Sequence, residues 1–343
     1  MRYAKIRIRK SMKHKAIALI SGGLDSILAA RVIMDQGIEV IGVCFVMSFA
    51  SRDLEAFKKR VSESAGEAGI AVRAVDIADT FFKILKKPDH GYGANFNPCI
   101  DCKIHMLRLA GKIMEEDNAD FVITGEVLGE RPMSQRKEAL NIITRESGLE
   151  GYLLRPLSAK NLEPTVPEEN GIVDRDRLLD IQGRSRAPQL KLAGKYGIKK
   201  YFTPAGGCLL TDPGFSRRLI DLREAGLMEL EEIKLLKFGR HFRLDSKSKA
   251  VVGRDQCDNE GLLAARKDSD ICFHIKELAG PYVILRGEAS DDNIKKAASL
   301  CLSHSKHKSR NHIVIEYWRD ESEKKEITGA VPMDRSLIEE MRI

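Results

Sequence analysis

Apolar residues in the first two thirds of the chain fall in short runs that alternate with longer stretches of helical spacing. The runs at Ala16–Ile20, Glu39–Phe45, Ala71–Val75, Phe121–Thr124 and Tyr152–Arg155 predict strands. Ile27–Gln36, Leu54–Ala68 and Cys102–Glu116 predict helices, the second stopped by Gly69. Strand–helix alternation implies right-handed crossovers, hence an α/β fold with a doubly wound parallel sheet. Ligands of such a sheet bind beyond the carboxyl ends of its strands. Residues 158–177, rich in Pro, Glu and Asn, predict a loop, and Leu178–Tyr196 a helix interrupted at Ser185–Pro188.

After about Phe238 the pattern changes. Ala250–Arg254, Ile271–Ile275, Tyr282–Arg286 and Ile313–Trp318 predict strands around one helix, Asp291–Ser303. The expected organisation is a basic arm over 1–15, an α/β domain over 16–237 and a small C-terminal α+β domain over 238–343.

Composition agrees with two domains: 343 residues, 43% of them hydrophobic, suffice for a full core in the larger one. The stretch Val40–Phe49 is half the ~20 residues of a membrane span, and the five apolar residues at Ala16–Ile20 fall short of a secretory signal core of ~7–15. No membrane association and a cytoplasmic location are therefore expected. The net charge is +7, and residues 1–15 alone carry seven Lys and Arg and no acid. That arm either touches a phosphate backbone or is a solvated terminus. Basic and acidic residues nearly balance over 240–343, so any nucleic-acid patch there must come from clustering, as at Lys306, Lys308, Arg310 and His312.

The first candidate chemistry is Ser21-Gly22-Gly23-Leu24-Asp25-Ser26, set between a predicted strand and a predicted helix. Two glycines let backbone N–H groups approach an anion, and the helix N-terminus adds its positive end. Ser21 and Ser26 can donate further hydrogen bonds. Asp25 beside phosphates is repulsive unless it binds Mg²⁺ or caps the helix. No Lys closes the loop, so it is not of the Walker type.

In this context the hexapeptide resembles the signature of the PP-loop ATP pyrophosphatase family, which has a HUP-like fold. The resemblance implies that ATP, with Mg²⁺, is split between its α and β phosphates and that a substrate oxygen is adenylated. Thr124-Gly125-Glu126-Val127-Leu128-Gly129, Ser134-Gln135 and Leu154-Arg155-Pro156-Leu157 follow in the order of tRNA 4-thiouridine synthetases, preceded by a similar Cys-basic helix, Cys102–Arg108. The likeness covers roughly residues 15–160. It is looser to the tRNA 2-thiouridylases, where Asn97-Pro98 and Cys102 match but Cys99 stands in place of an acid. This resemblance implies tRNA as substrate, a sulfur donor such as sulfide or a cysteine desulfurase, and nucleotide contacts from Gly125 and Thr124. Synthetases of this type usually carry a preceding RNA-binding domain and some end in a rhodanese domain; neither is expected here. The tail instead resembles the NFACT-R RNA-binding module, with Gly253-Arg254-Asp255 and Asn259 in its early turn.

Seven cysteines without a secretion signal argue against a disulfide framework. Cys44, Cys257, Cys272 and Cys301 are assigned to structure. Cys99 and Cys102 precede a predicted helix, whose N-terminus favours thiolate, and Cys208 follows Gly206-Gly207. Three thiolates can hold a [4Fe-4S] cluster with one iron open to a hydrosulfide. A persulfide on Cys208 resolved by Cys102 or Cys99, a zinc site completed by His105, and inert thiols stand as alternatives. Arg155, Arg184 and Arg186 are candidates for RNA or phosphate contact, against an ion pair for the first and a solvated basic turn for the others. A PP-loop amide ligase, a small-molecule sulfurtransferase and a non-catalytic RNA-binding protein are the rival functions.

Overall fold

A computed structural model describes residues 14–51, 53–93, 95–202, 208–310 and 312–343. The basic arm up to residue 13 and the Gly206-Gly207 turn lie outside the described residues. The chain divides into two compact units, one from residues 1–47, 54–93 and 98–206, the other from 48–53, 94–97 and 207–343.

The first unit runs β1 (Lys15–Leu19), α1 (Leu24–Met34), β2 (Glu39–Val46), α2 (Leu54–Gly66), β3 (Val72–Asp76), α3 (Ala78–Lys86), α4 (Cys99–Glu116), β4 (Phe121–Ile123), α5 (Lys137–Ser147), β5 (Leu153–Leu154), α6 (Val166–Glu169) and α7 (Ala187–Tyr196). Its sheet has the order β3-β2-β1-β4-β5, with every pairing parallel. Successive residues of β1 serve opposite faces, as strand periodicity requires. Ala16 and Ala18 pack with Leu24, Ile27 and Leu28 of α1, whereas Ile17 packs with Ile104 and Leu107 of α4 and Ile143 of α5. Strand order steps from β1 to β2 on one side and to β4 on the other. That reversal leaves a crevice at the carboxyl ends of β1 and β4.

The expected parallel α/β sheet is present, with local differences: α3, α5 and the short α6, which lies within the expected loop 158–177, are additional helices. α1 begins at Leu24 rather than Ile27. α4 begins at Cys99 rather than Cys102, so the Cys-x-x-Cys pair lies inside its first turn. Residues 178–186 are not helical: Leu179 and Ile181 donate backbone N–H groups to Pro156 and Leu157, and Gly183 donates to Leu128. The apolar spacing of Leu178, Leu179 and Ile181 serves an extended segment laid beside the end of β5.

The second unit contains α8 (Pro213–Glu224), α9 (Leu230–Leu235), β6 (Arg240–Arg243), β7 (Lys249–Val252), α10 (Gln256–Ala264), β8 (Ile271–Ile275), β9 (Val283–Arg286), α11 (Asp291–Ser303), β10 (Val314–Trp318), β11 (Lys325–Thr328) and α12 (Arg335–Met341). Its antiparallel sheet has the order β11-β10-β8-β9-β7-β6. The edge strands β6 and β11 are charged, which hides them from a search for apolar runs and suits an edge that must not pair further. Among the described residues of both units, no helix is long and apolar enough to cross a membrane.

A buried ion network lies within this unit. Glu232 accepts from Lys249 at 3.1 Å, Lys267 at 2.5 Å and Arg286 at 3.2 Å, and Arg286 also pairs with Asp270 at 2.6 Å. Burial alone would raise the Glu232 pKa, but Lys249, Lys267 and Arg286 bring it down to about 2. A lowered carboxyl pKa contributes stability above the ordinary value near 4.5 and loses it as pH falls toward 2. Glu232→Gln leaves Lys249 buried without a carboxylate and Arg286 with Asp270 alone, and should cost about 3 kcal/mol at pH 7. Urea unfolding across pH checks this: the deficit should shrink below pH 4, and a deficit independent of pH would contradict it.

Candidate active site

The chain leaves β1 into the crevice through Ser21. Gly22 has φ +78°, a left-handed conformation natural to glycine. The Phe202 ring covers it closely, since a Cβ on Gly22 would lie 3.0 Å from Phe202 Cε2. The Phe202 N–H donates to the Gly22 carbonyl at 2.9 Å. Ser26 ties the loop into a ring: its Oγ donates to the Gly23 carbonyl at 2.7 Å and accepts from the Ser21 N–H at 3.3 Å. The Gly23 N–H in turn donates to Ser21 Oγ at 3.3 Å. No side chain caps α1, which leaves the positive end of its dipole to the crevice.

The turn after β4 closes the other side. A Cβ on Gly125 would lie 2.4 Å from both the Asp25 carbonyl carbon and the Ser26 nitrogen, so only glycine fits against the start of α1. Thr124 is buried, and its hydroxyl donates to Glu126 at 3.2 Å. The Thr124 hydroxyl is thus spent on Glu126, whereas Gly125 abuts the loop itself.

Asp25 sits in a charged cluster that the sequence does not announce. Arg186 reaches Asp25 at 3.5 Å with one guanidinium nitrogen and Glu130 at 3.6 Å with the other. Burial raises the pKa of Asp25, and Arg186 and Arg131 oppose the rise. Glu130 is raised by burial and by Asp25, again against Arg186 and Arg131. Gln189, fully buried in the first turns of α7, influences Asp25, yet neither of its amide atoms completes a hydrogen bond. Of the basic pair expected to meet RNA, Arg184 is exposed and Arg186 is turned to this cluster.

Arg155 is 6% exposed and takes the ion-pair alternative. Its Nε donates to Glu126 at 3.0 Å and its Nη1 to Thr144 Oγ1 at 3.0 Å. The guanidinium is therefore not presented to an RNA backbone. Burial would raise the Glu126 pKa, but Arg155 and Lys103 hold it below its ordinary value. The other carboxylate oxygen of Glu126 is buried without a hydrogen bond, with Lys103 Nζ 3.8 Å away. Lys103 follows Cys102 directly, so the turn that abuts the phosphate loop also reaches the cysteine helix.

Cys99 and Cys102 are half-buried in the first turn of α4. Between them, buried Asp101 accepts from the backbone N–H groups of Asp89 and His90 and fixes the preceding segment. His105 has its Nε2 2.8 Å from Thr80 Oγ1, which engages one of its two ring nitrogens. Cys208 is exposed and belongs to the second unit. Among the described residues, no group of three or more His, Cys, Asp or Glu side chains is placed to hold a metal. Cys99 and Cys102 supply two of the three thiolates that a cluster bound at three corners needs. Mg²⁺ is different: it is usually held by one or two carboxylates together with substrate phosphates. Asp25 and Glu130 beside the loop fit that donor set.

The fold and this site define an α/β unit with an all-parallel sheet and a phosphate-type loop after its first strand, followed in the chain by an antiparallel α+β unit. Residues 11–166 match the family model described as thiamine biosynthesis protein (ThiI), and residues 239–342 match the NFACT protein RNA binding domain. The probable tRNA sulfurtransferase of Thermococcus kodakarensis is 31% identical over 157 residues, 44% of this chain and 39% of that protein. The tRNA-specific 2-thiouridylase MnmA of Sulfurimonas denitrificans is 30% identical over 125 residues, 34% of this chain and 36% of that protein. The chain thus spans under two fifths of the length of these two relatives. A solved 4-thiouridine synthetase–RNA complex with bound ATP superposes at a TM-score of 0.34, 21% identical, over 54% of this chain and 52% of that one. A superposition that weak carries no functional weight.

Gly125→Ala should push β4 and α1 apart. The expected result is a loss of ATP affinity of about 100-fold or more with a thermal midpoint lowered by several degrees. Calorimetric titration and a melting curve measure both, and unchanged ATP binding would show that the contact does not shape the loop.

Proposed function

We propose that the chain is an ATP-dependent tRNA sulfurtransferase that makes thiouridine. The observation that carries this reading is the turn Thr124-Gly125-Glu126. It abuts the phosphate loop through Gly125 and meets the cysteine helix through Glu126 and Lys103. The sequence matches to tRNA sulfurtransferases and to an RNA-binding module support the same assignment.

In this mechanism Ser21, Gly22, Gly23 and Ser26, with the N-terminus of α1, seat the β and γ phosphates of ATP. Asp25 and Glu130 would hold Mg²⁺, which would supply positive charge to offset that of the phosphates. The uridine carbonyl oxygen attacks the α phosphorus, and pyrophosphate leaves. With sulfide as donor, hydrosulfide attacks the activated carbon directly; a cysteine desulfurase instead passes the outer sulfur of its own persulfide to the Cys99 or Cys102 thiolate, and its own cysteine leaves as thiolate. That sulfur attacks the activated carbon, and AMP departs with the original oxygen. The second thiolate of the pair then attacks the inner sulfur, which releases thiouridine and forms a disulfide. A dithiol reductant restores the two thiols. These steps use the Cys99–Cys102 pair alone; a [4Fe-4S] cluster would take Cys208 as its third thiolate and would supply an open iron site for hydrosulfide. On the second unit, exposed Lys306, Lys308, Arg310 and His312 are RNA-backbone candidates. Arg254 and Asn259 build their own turn: Arg254 pairs with Asp258, and Asn259 accepts from the Tyr282 N–H at 3.0 Å.

Mass spectrometry of tRNA nucleosides from cells lacking the gene should show one thionucleoside missing. Restoration with Cys99→Ala or Cys102→Ala should fail, with thiolation reduced at least ~100-fold, the scale of losing a reacting group. A full complement of thionucleosides in the deletion strain, or normal thiolation in the Cys99, Cys102 and Cys208 variants alike, would overturn the assignment.

A further inference from the structure

The Arg186 guanidinium lies between two carboxylates that both adjoin the phosphate loop. Its nitrogens are 3.5 Å from Asp25 and 3.6 Å from Glu130, at or beyond the outer limit of a direct hydrogen bond. The carboxylates are mostly buried, at 18% and 12% side-chain exposure, and Arg186 is only 25% exposed. This is a loose pairing for charges so withdrawn from water. The fully buried Gln189 amide, one helical turn after Arg186, adds an unsatisfied polar group beside Asp25. A finished structural ion pair closes its hydrogen bonds, since open ones are costly in a buried setting. A cluster with slack pairing and an orphan amide is set up for a further occupant.

Phosphate brings a conflict to this place. Three or four negative charges arriving beside Asp25 and Glu130 are repelled by both, and one arginine cannot neutralise carboxylates and phosphates together. The donor chemistry offers one resolution. Hard carboxylate oxygens suit Mg²⁺, while a guanidinium fork suits phosphate oxygens.

We propose that Arg186 is a resident counter-ion that Mg²⁺ replaces. Without nucleotide it neutralises Asp25 and Glu130 and keeps the loop in shape. When Mg–ATP binds, the two carboxylates pass to the cation and Arg186 turns to the β and γ phosphates. The Gln189 amide is left to hold Asp25 in its new pairing. The inference rests on the nucleotide reading of the loop and adds an assignment for Arg186 and an order of exchange.

The two roles of Arg186 predict opposite effects of one substitution. Mn²⁺ serves as a paramagnetic stand-in, because it shares the oxygen-ligand preference of Mg²⁺. The full chain is titrated with Mn²⁺ alone, followed by electron paramagnetic resonance, and separately with ATP in the presence of Mg²⁺, followed by calorimetry. Relative to the unsubstituted chain, Arg186→Gln should bind Mn²⁺ alone about 5-fold more tightly and ATP about 10-fold or more weakly. Arg186→Lys, which keeps the charge without the fork, should leave Mn²⁺ binding near that of the unsubstituted chain while weakening ATP a few-fold. It also serves if Arg186→Gln fails to fold. Weaker ATP binding with unchanged Mn²⁺ binding in Arg186→Gln would reduce Arg186 to a phosphate ligand and overturn the exchange. Unchanged values for both would overturn the inference entirely. Failure of the unsubstituted chain to bind either ATP or pyrophosphate would instead overturn the nucleotide reading of the loop.

Discussion

The structure of the site depends on one close contact, the Cα of Gly125 against the peptide joining Asp25 to Ser26. It sets the distance between the end of β4 and the start of α1, at the place where strand order reverses. A methyl group there would meet three atoms of that one peptide at 2.4 to 2.6 Å, and backbone cannot swing aside as a side chain can. Through this contact the loop conformation becomes a property of the whole sheet. Phe202 completes the enclosure from the opposite direction by covering Gly22. The serines then stitch the loop to itself, so its N–H groups are organised before any anion arrives. Preorganised donors of this kind stabilise developing charge without reorganisation.

Electrostatics around that contact divide into two settlements. Glu126 is fully enclosed, and Arg155 and Lys103 keep it charged, with Thr124 as a further donor. That pairing is structural: it joins the turn after β4 to α5 through Thr144 and to α4 through Lys103. Asp25 and Glu130 are the opposite case. Burial pushes both toward neutrality, repulsion from Asp25 adds to it at Glu130, and Arg186 and Arg131 together do not cancel the cost. Carboxylates held at such a disadvantage mark a functional place more often than a structural one. The two clusters lie on either side of Gly125, one built to stay and one built to change partners.

Much of this was legible in the chain. Apolar runs placed the five parallel strands, and the glycine pair with its serines marked the loop, because short-range backbone chemistry writes itself into local sequence. Gly125 was expected to contact the nucleotide, from the resemblance alone; its packing against the Asp25–Ser26 peptide was not read from the sequence. What stayed hidden was pairing over long separations. Nothing local links Arg186 to Asp25 across 161 residues, or Arg155 to Glu126 across 29, and isolated charged residues look alike in a sequence. Gln189 carries no signal at all, since its importance is the absence of a partner. The helix boundaries moved for identifiable reasons. Leu24 to Ser26 already belong to α1 despite the glycines just before them, and the apolar residues at 178–181 serve an extended segment that mimics helical spacing. The charged edge strands of the second unit evade an apolar search by their nature.

The central claim is that the loop from Ser21 to Ser26, closed by Gly125, holds a pyrophosphate leaving group, so ATP is cut between its α and β phosphates. Product analysis tests it most directly. The purified chain is incubated with tRNA, Mg²⁺ and ATP labelled at the α phosphorus, and the nucleotide products are separated. Labelled AMP with an equal amount of pyrophosphate is the predicted result, increased by tRNA. Labelled ADP with inorganic phosphate, or no cleavage under any condition, would contradict the account.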